Sequence, residues 1–353
     1  MKKLRFIQTN DIHWMITSPQ SRTDVYYESI GAKLYEIFEM ARNVQANGIL
    51  IAGDIVNSPG VGYDATRMLG QILLQSPCPI FTIAGQHDEW GHNPESLRRT
   101  PYGILDGLGV IQSVVNAPKF FRIGNTSVWI TGRNYDHEAD VASDYYDPQI
   151  ASNTCEPNNN DNDIVIHLAH GTVLPVASPI YDRYTVVSDI KTSTDVLCVG
   201  DYHTGIGVRR VDNNKKTFVV NPGALARVKA TEEEIGRTVQ ITLIEIGESR
   251  SIDIKLIPLQ SAMTGDAVLS REHIEAETAK NEMLDEFIEM LSAEGDFKLL
   301  TEEKLVEDIS LRESIPAEVK LEALRRIAVA REELNLSHKG GAQSNDCLFH
   351  GGY

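Results

Sequence analysis

Over the first 110 residues, apolar positions switch between two periods. The run "LRFIQT" (4–9) reads as a strand, and Ile30, Leu34, Ile37, Phe38, Ala41 and Val44 then recur at helical spacing, with Gly48 placed where a C-terminal cap would stand. "ILIA" (49–52) is a short buried strand. Ala65, Met68, Leu69, Ile72 and Leu73 mark the next helix, and "IFTIA" (80–84) is strand again. Strands alternating with helices predict an α/β layered fold with a largely covered sheet. In such folds functional residues gather beyond the carboxyl ends of the strands.

Residues 133–163 are polar and irregular and read as a surface insertion, loosest at "CEPNNNDND" (155–163). Strand signals return in "IVIHL" (164–168), "DVLCV" (195–199), "TFVV" (217–220) and the pair "GRTVQITLIEIG" (236–247) and "SIDIKLIPL" (251–259). Beyond about residue 260 the period becomes helical. Met283, Leu284, Phe287, Ile288 and Leu291 form one stripe; Leu321, Leu324, Ile327, Ala328 and Leu334 form another, opened by Pro316 in a first-turn position. These shifts divide the chain into a domain over 1–260, a helical region over 261–336 and a flexible tail over 337–353.

A net charge of -17 over 353 residues argues against a broad face for nonspecific polyanion binding. It leaves room for local basic doublets: Arg98 and Arg99, Arg209 and Arg210, Lys215 and Lys216. The four cysteines (Cys78, Cys155, Cys198, Cys347) show no CxxC spacing and fit reduced thiols. "MKKLRFIQTND" starts basic, but its apolar run is too short for a signal peptide. No stretch approaches the roughly 20 apolar residues of a spanning helix. The expectation is a cytoplasmic protein with no membrane partner.

Candidate chemistry sits at five strand ends: "TNDIHW" (9–14), "AGD" (52–54), "AGQHDEW" (84–90), "HLAHG" (167–171) and "GDYHTG" (200–205). Metal chemistry on phosphate esters needs hard oxygen and imidazole ligands. It also needs a carboxylate bridging two ions about 3.5–4 Å apart, and an acid for the leaving oxygen. Asp11 and His13, two apart on an extended strand end, point to one side, as do Asp201 and His203. Asp54 adds a carboxylate, Gln86 an amide oxygen and His170 an imidazole. A lone strand-end aspartate is usually a turn residue; five such ends in order carry far more weight. His167 lies three residues from His170 on a strand, faces the other way and reads as structural. Trp14 and Trp90 read as rim packing rather than base-stacking platforms.

The ordered series DxH, GD, G-amide-HD, H and Gx-x-H resembles the calcineurin-like metallophosphoesterase superfamily. More narrowly, "AGDIVNSPG" (52–60), "IAGQHD" (83–88) and "NPGALAR" (221–227) resemble SbcD-type nuclease subunits of the SbcCD double-strand-break complex. The resemblance implies a layered metallophosphoesterase fold, two β-sheets flanked by helices, with a C-terminal helical extension. It implies two divalent ions, manganese in the first place and magnesium as the alternative. One would be held by Asp11, His13, Asp54 and His203, the other by Asp54, Gln86, His170 and Asp201. His87 would stabilise the transition state or protonate the leaving group. DNA would be the substrate, with Arg98, Arg99, Arg209, Arg210 and Arg227 as candidate phosphate contacts. The C-terminal helices would grip a coiled-coil ATPase partner, and the chain would pair as a homodimer.

Three positions depart from the family pattern. Gln86 stands for asparagine, the last motif is Gly200-Asp201-Tyr202-His203 rather than GHxH, and Asn57 replaces the aspartate that orients the catalytic histidine. An asparagine can orient an imidazole but supports its positive charge less well. Residues 262–336 are few for a full cap domain plus partner-binding helices, so a reduced cap is expected. Two rival readings stand beside the nuclease: a phosphodiesterase or phosphatase for small-molecule or protein phosphoesters, and a non-catalytic scaffold for the partner.

Overall fold

The computed structural model describes residues 2–148, 163–212, 216–272, 283, 302–313 and 315–327. The chain divides into two compact units, Met1–His273 and Ile274–Tyr353. In chain order the strands are β1 (Lys3–Thr9), β2 (Gly48–Ala52), β3 (Ile80–Ile83), β4 (Gln112–Ser113), β5 (Lys119–Ile123), β6 (Thr126–Gly132) and β7 (Asp163–Gly171). They continue as β8 (Val173–Leu174), β9 (Thr185–Val186), β10 (Val196–Asp201), β11 (Gly207–Asp212), β12 (Lys216–Asn221), β13 (Gln240–Gly247) and β14 (Ile252–Pro258). The helices are α1 (Tyr26–Val44), α2 (Tyr63–Leu73), α3 (Pro101–Gly107), α4 (Glu232–Gly236) and α5 (Gly265–Val268) in the first unit and α6 (Glu302–Arg312) in the second.

Two six-stranded sheets form, in orders β14-β13-β1-β2-β3-β4 and β11-β12-β10-β7-β6-β5. Pleating sends alternate side chains of each strand into different layers. Phe6, Leu50, Phe81 and Ile83 of one sheet meet Ile130, Ile166, Val196 and Cys198 of the other in a shared interior. Ile7, Ile49 and Ile51 point the opposite way, against Ile30, Leu34, Ile37 and Phe38 of α1. On the far side of the second sheet, Leu197 and Val199 pack with Tyr145, Tyr146 and Val187. Cover on both faces explains why "ILIA" and "VLCV" are continuous apolar runs rather than alternating ones. The layered fold implied by the family resemblance is the one observed.

The parallel pairings β1 with β2, β2 with β3, and β7 with β10 put the carboxyl ends within each sheet at one edge. This is where all five chemistry-bearing motifs lie.

Several expectations need adjustment. The helix over 26–44 is capped by Gln45, not Gly48: Gln45 takes a left-handed conformation (φ 53°), and the Ala46 N–H donates to Ala41 O at 2.8 Å. Gly48 instead begins β2, where a Cβ would stand 2.6 Å from the Phe81 ring. The first unit also extends past residue 260. Val268 and Leu269 are buried, and Ser270 N–H donates to Ser21 O at 2.8 Å. Met283 is the one described member of the first C-terminal stripe; in the second, Leu321, Leu324 and Ile327 lie on the helical stretch 317–327, with Leu321 exposed. The tail over 337–353, most of "CEPNNNDND", Cys155, Cys347, Lys215 and the remaining stripe residues lie outside the described residues. Cys78 and Cys198 are free thiols. Among the described residues, no helix is long and apolar enough to cross a membrane.

Ile166 reaches the interior shared by both sheets. Truncation to alanine there removes buried contacts and leaves a cavity between two pleated walls that cannot both relax. Ile166→Ala is expected to lower stability by about 2–5 kcal/mol, read as a reduced midpoint in urea unfolding at unchanged slope.

Candidate metal centre

The side chains predicted to hold metal converge. Ligand atoms of Asp11, His13 and His203 lie within 4.8 Å of one another, as do those of Asp11, Asp54 and His170, and those of His13, Asp54 and His87. Asp54, Asp11 and His170 are fully buried, and His13 is 2% exposed. Their backbone is unusual. Asp11, His13, Asp54 and Asp201 all have positive φ (50°, 46°, 53° and 86°), four of the eight described non-glycine residues that do. Each such residue costs on the order of 1–3 kcal/mol and persists only where its surroundings over-determine it. Here the N–H groups of Asp11 and His13 donate to Gly53 O (3.3 Å) and Asp54 O (3.0 Å), stitching the end of β1 to the end of β2. Asp11 and His13 thus share a side through left-handed turns, not through strand pleating.

Two glycines make the convergence possible. Gly53 has φ 91°, and a Cβ there would overlap the His170 ring; a Cβ on Gly85 would overlap Asp54 Oδ1. The motif "AGQHD" folds as a tight 3-10 turn, Gln86–Asp88. Buried Asp88 organises it by accepting from Gly85 N (2.9 Å), Val56 N (3.0 Å) and Ile55 N (3.3 Å). The turn delivers the His87 N–H to Asp54 Oδ1 at 2.9 Å, leaving Asp54 Oδ2 facing His170 Nε2 at 3.3 Å and His13 Nε2 at 3.6 Å.

The donor set fits divalent cations on structural grounds. Asp54 Oδ2, Gln86 Oε1 and His170 Nε2 are all buried without a hydrogen-bond partner, an arrangement that costs free energy unless something positive satisfies it. His13 Nε2 and His203 Nε2 face each other at 3.0 Å, one donating and the other accepting according to tautomer, so both nitrogens border the same space. His170 Nδ1 donates to Ala52 O at 2.6 Å, which turns the lone pair of the neutral ring inward.

Charge confirms the crowding. Burial, aided by Asp54 and Asp201 and opposed by His170, pushes the Asp11 carboxyl well above the usual carboxylate range. Burial alone would raise Asp54 as well, but His170 and His13 draw it below that range. Desolvation holds His13 and His203 below the ordinary imidazole value. Desolvation also opposes charge on His170, yet the carboxylates of Asp54, Asp11 and Asp201 raise it well above.

Asp201 lies beside Gln86 and His170, the residues it was grouped with: its Oδ1 accepts from Gln86 Nε2 at 2.5 Å and stands 3.9 Å from His170 Nε2, while Oδ2 accepts from Thr172 Oγ1. Other predicted residues are placed differently from expectation. His87 Nδ1 lies 2.8 Å from the backbone carbonyl of Asn57. A carbonyl only accepts, so Nδ1 carries the proton; the orienting group at Asn57 is its main chain, and the identity of its side chain is immaterial to that bond. Arg227 is not a phosphate contact. It is 3% exposed, and its guanidinium donates to the carbonyls of Glu234 (3.0 Å), Met263 (2.6 Å) and Arg237. Arg98, Arg99, Arg209 and Arg210 are exposed but do not line the cleft, and Arg210 stacks over Phe218 at 4.8 Å. Trp14 is a core residue whose Nε1 donates to Ala65 O at 2.8 Å, while Trp90 is half exposed.

Asp88, Thr172 and Glu234 escaped the sequence reading. Asp88 stood in plain view in "QHD", but nothing local distinguishes a loop-organising aspartate from a ligand. Thr172 and Glu234 belong to no motif. Tyr145 supports the site from the turn packed on the far side of the second sheet, donating to His170 O at 2.8 Å.

The centre opens into a cleft of about 850 Å³. Among the described residues, Lys229 is the one lysine or arginine in its lining, beside Glu233 and Glu234; Tyr181 and Tyr202 stand on its wall with ring centroids 6.0 Å apart.

Two layered sheets carrying buried carboxylates and imidazoles at their carboxyl edge define a metal-dependent phosphoesterase. Residues 4–205, more than half of the chain, match the calcineurin-like phosphoesterase family, and the chain belongs to that family. No curated protein matches it. Among solved structures, TT1561 of Thermus thermophilus is similar at 11% identity, covering 72% of this chain and 99% of its own, with TM-score 0.40. A dimetal phosphatase from Danio rerio shows 12% identity over 72% and 98% of the two chains, TM-score 0.41. GAP50, described as the anchor in the inner membrane complex of Plasmodium, shows 12% identity over 75% and 87%, TM-score 0.45.

His167 illustrates the contrast with a ligand. It is buried on β7 with Nδ1 2.8 Å from Thr131 Oγ1, and desolvation, with Arg133 adding, pulls it down from 6.5 to about 3. Because the folded state resists protonation that the unfolded chain accepts, the stabilising contribution is complete above pH 6.5 and lost as pH falls toward 3. Acid titration of unfolding free energy is expected to show a slope of up to about 1.4 kcal/mol per pH unit from this residue. His167→Gln should flatten the curve in that window.

Proposed function

We propose that the protein hydrolyses phosphodiesters with two divalent cations, and that its polymeric substrate is DNA, cut as the nuclease subunit of an SbcCD-like assembly. The observation that carries the hydrolytic part is the trio of orphaned acceptors, Asp54 Oδ2, Gln86 Oε1 and His170 Nε2, opening onto the His13–His203 pair. When bound, the cations polarise the phosphoryl group and lower the pKa of an attacking water. Asp54, between the two imidazole groups, is the bridging candidate, with His170, Gln86 and Asp201 on one side and His13, His203 and Asp11 on the other. His87 is exposed at the cleft and hydrogen-bonded through Nδ1, which leaves Nε2 to meet the substrate and, when protonated, to hand a proton to the leaving oxygen. The backbone bond to Asn57 fixes the ring but adds no negative charge behind it.

The DNA part is supported by the SbcD-like flanks "AGDIVNSPG", "IAGQHD" and "NPGALAR", which are the segments that brace the centre. Manganese is the proposed activating ion. Arg98, Arg99, Arg209 and Arg210 remain as outlying phosphate contacts. We further propose that the amphipathic C-terminal helices recruit a coiled-coil ATPase, which would supply the basic surface this acidic chain lacks, and that the chain pairs as a homodimer. A second reading, a phosphodiesterase for small molecules, is favoured by the cleft itself, whose lining sets a single lysine against two glutamates.

Hydrolysis of a chromogenic bis-ester in manganese is expected to fall about 10²–10⁴-fold in kcat for His87→Ala, with KM little changed. Asn57→Ala should stay within about tenfold of wild type, because the main-chain carbonyl survives the substitution. Equal rates for His87→Ala and wild type would sink the assignment.

Substrate class is decided by comparing linear and single-stranded DNA with the bis-ester, with and without the ATPase partner. Release of nucleotides from DNA that disappears in Asp54→Ala supports the nuclease. Turnover of the bis-ester alone selects the small-molecule reading, and uptake of metal with no turnover of any ester selects a scaffold.

A further inference from the structure

We infer that Glu234, held in place by Arg237, is the positioning residue that sets the tautomer of His203 and so makes it a metal ligand; this rests on the two-cation reading above. A cation lying between His13 Nε2 and His203 Nε2, now 3.0 Å apart, needs a lone pair on both nitrogens. Each ring must then carry its proton on Nδ1. His170 and His87 meet that demand with carbonyls, Ala52 O and Asn57 O, within 2.8 Å. His13 Nδ1 is buried without a partner. His203 Nδ1 alone faces a carboxylate, Glu234 Oε1 at 3.9 Å. That separation exceeds a hydrogen bond; at this distance the charge of the carboxylate favours the proton on the ring nitrogen that faces it.

Glu234 is not a chance neighbour. It is 6% exposed, on α4, where its N–H donates to Thr231 Oγ1 at 3.3 Å. Arg237 Nε donates to its other oxygen, Oε2, at 3.0 Å. The same guanidinium donates to Ala224 O at 2.7 Å and to Ala226 O. On its opposite edge this loop sends the N–H groups of Ala224, Leu225 and Ala226 to the carbonyls of His203 (2.9 Å), Asn10 (2.9 Å) and Asp11 (3.2 Å). Buried Lys33 caps Leu225 O at 3.0 Å, and Arg22 caps Arg227 O at 3.3 Å. One arginine therefore aims the carboxylate and also braces the loop on which Asp11 and His203 rest. A purely structural Glu234 would neutralise Arg237 and do nothing to the imidazole.

The substitution Glu234→Gln separates these roles. Arg237 offers only donors, so it would take the amide oxygen and turn the amide NH₂ toward His203 Nδ1. Nδ1 would then accept, and the proton would move to Nε2, where it blocks a cation. The test uses the full chain, with Mn²⁺ alone as the probe: calorimetric titration of the metal, and ¹⁵N imidazole shifts of the metal-free protein. E234Q is expected to weaken one of two Mn²⁺ binding steps about 10–100-fold and to move His203 from the Nδ1–H to the Nε2–H pattern. Glu232→Gln, an exposed neighbour on the same helix, controls for loss of charge and should change neither. Should E234Q fail to fold, Glu234→Asp keeps the charge for Arg237 but withdraws the other oxygen, and the same weakening is expected. Unchanged binding steps with an unchanged tautomer overturn the inference, whatever happens to thermal stability. A wild type that takes up no Mn²⁺ removes the two-cation reading instead, and the tautomer comparison still decides the role of Glu234.

Discussion

Asp54 and Asp11 are carboxylates sealed from water at the meeting point of two sheets, and neither can be ionised there at low cost without a positive charge beside it. The cluster answers this need in a telling way. It drives His170 toward its charged form and holds Asp54 ionised against it, while Asp11 is pushed toward neutrality. Divalent ions would neutralise this field and be held by His170 as a neutral, ligating ring. The electrostatic problem and the catalytic resource are one arrangement.

Holding that arrangement requires backbone that most sequences avoid. Four candidate ligands sit in left-handed conformations, and glycines at 53 and 85 admit His170 and Asp54 where any side chain would collide. The strain is tolerated because both sheets are buried on both faces, so the strand ends cannot drift apart without opening the interior. The loop over 223–227 adds the last restraint, pinned on one edge by the carbonyls of the site and on the other by the side chains of Lys33, Arg22 and Arg237. Arg227 belongs to that restraint, which is why it is unavailable to a phosphate.

The cleft beyond the centre is modest, acidic at one margin, and lined by a pair of tyrosines. A long polyanion would need cations from outside the lining, either from the exposed arginine doublets or from a partner.

Strand–helix alternation over residues 3–107, the return of strands after 163 and the five motifs at strand ends were all legible from residue order, because periodicity and residue type are local properties. Asp11, His13, Asp54, His170 and His203, singled out from the motifs, are brought close together by the fold. The sequence could not show that Gln45 rather than Gly48 ends the first helix, since both can adopt the conformation and only packing against Phe81 requires the glycine at 48. Nor could it separate Arg227 from the exposed doublets, show that Asn57 acts through its main chain, or find Glu234, which sits outside every motif and reaches His203 through folding alone. What the sequence by itself determined is which side chains could bind a cation. The tertiary structure alone decided how each is oriented and partnered, because hydrogen bonds, tautomers and desolvation depend on neighbours that chain order does not name.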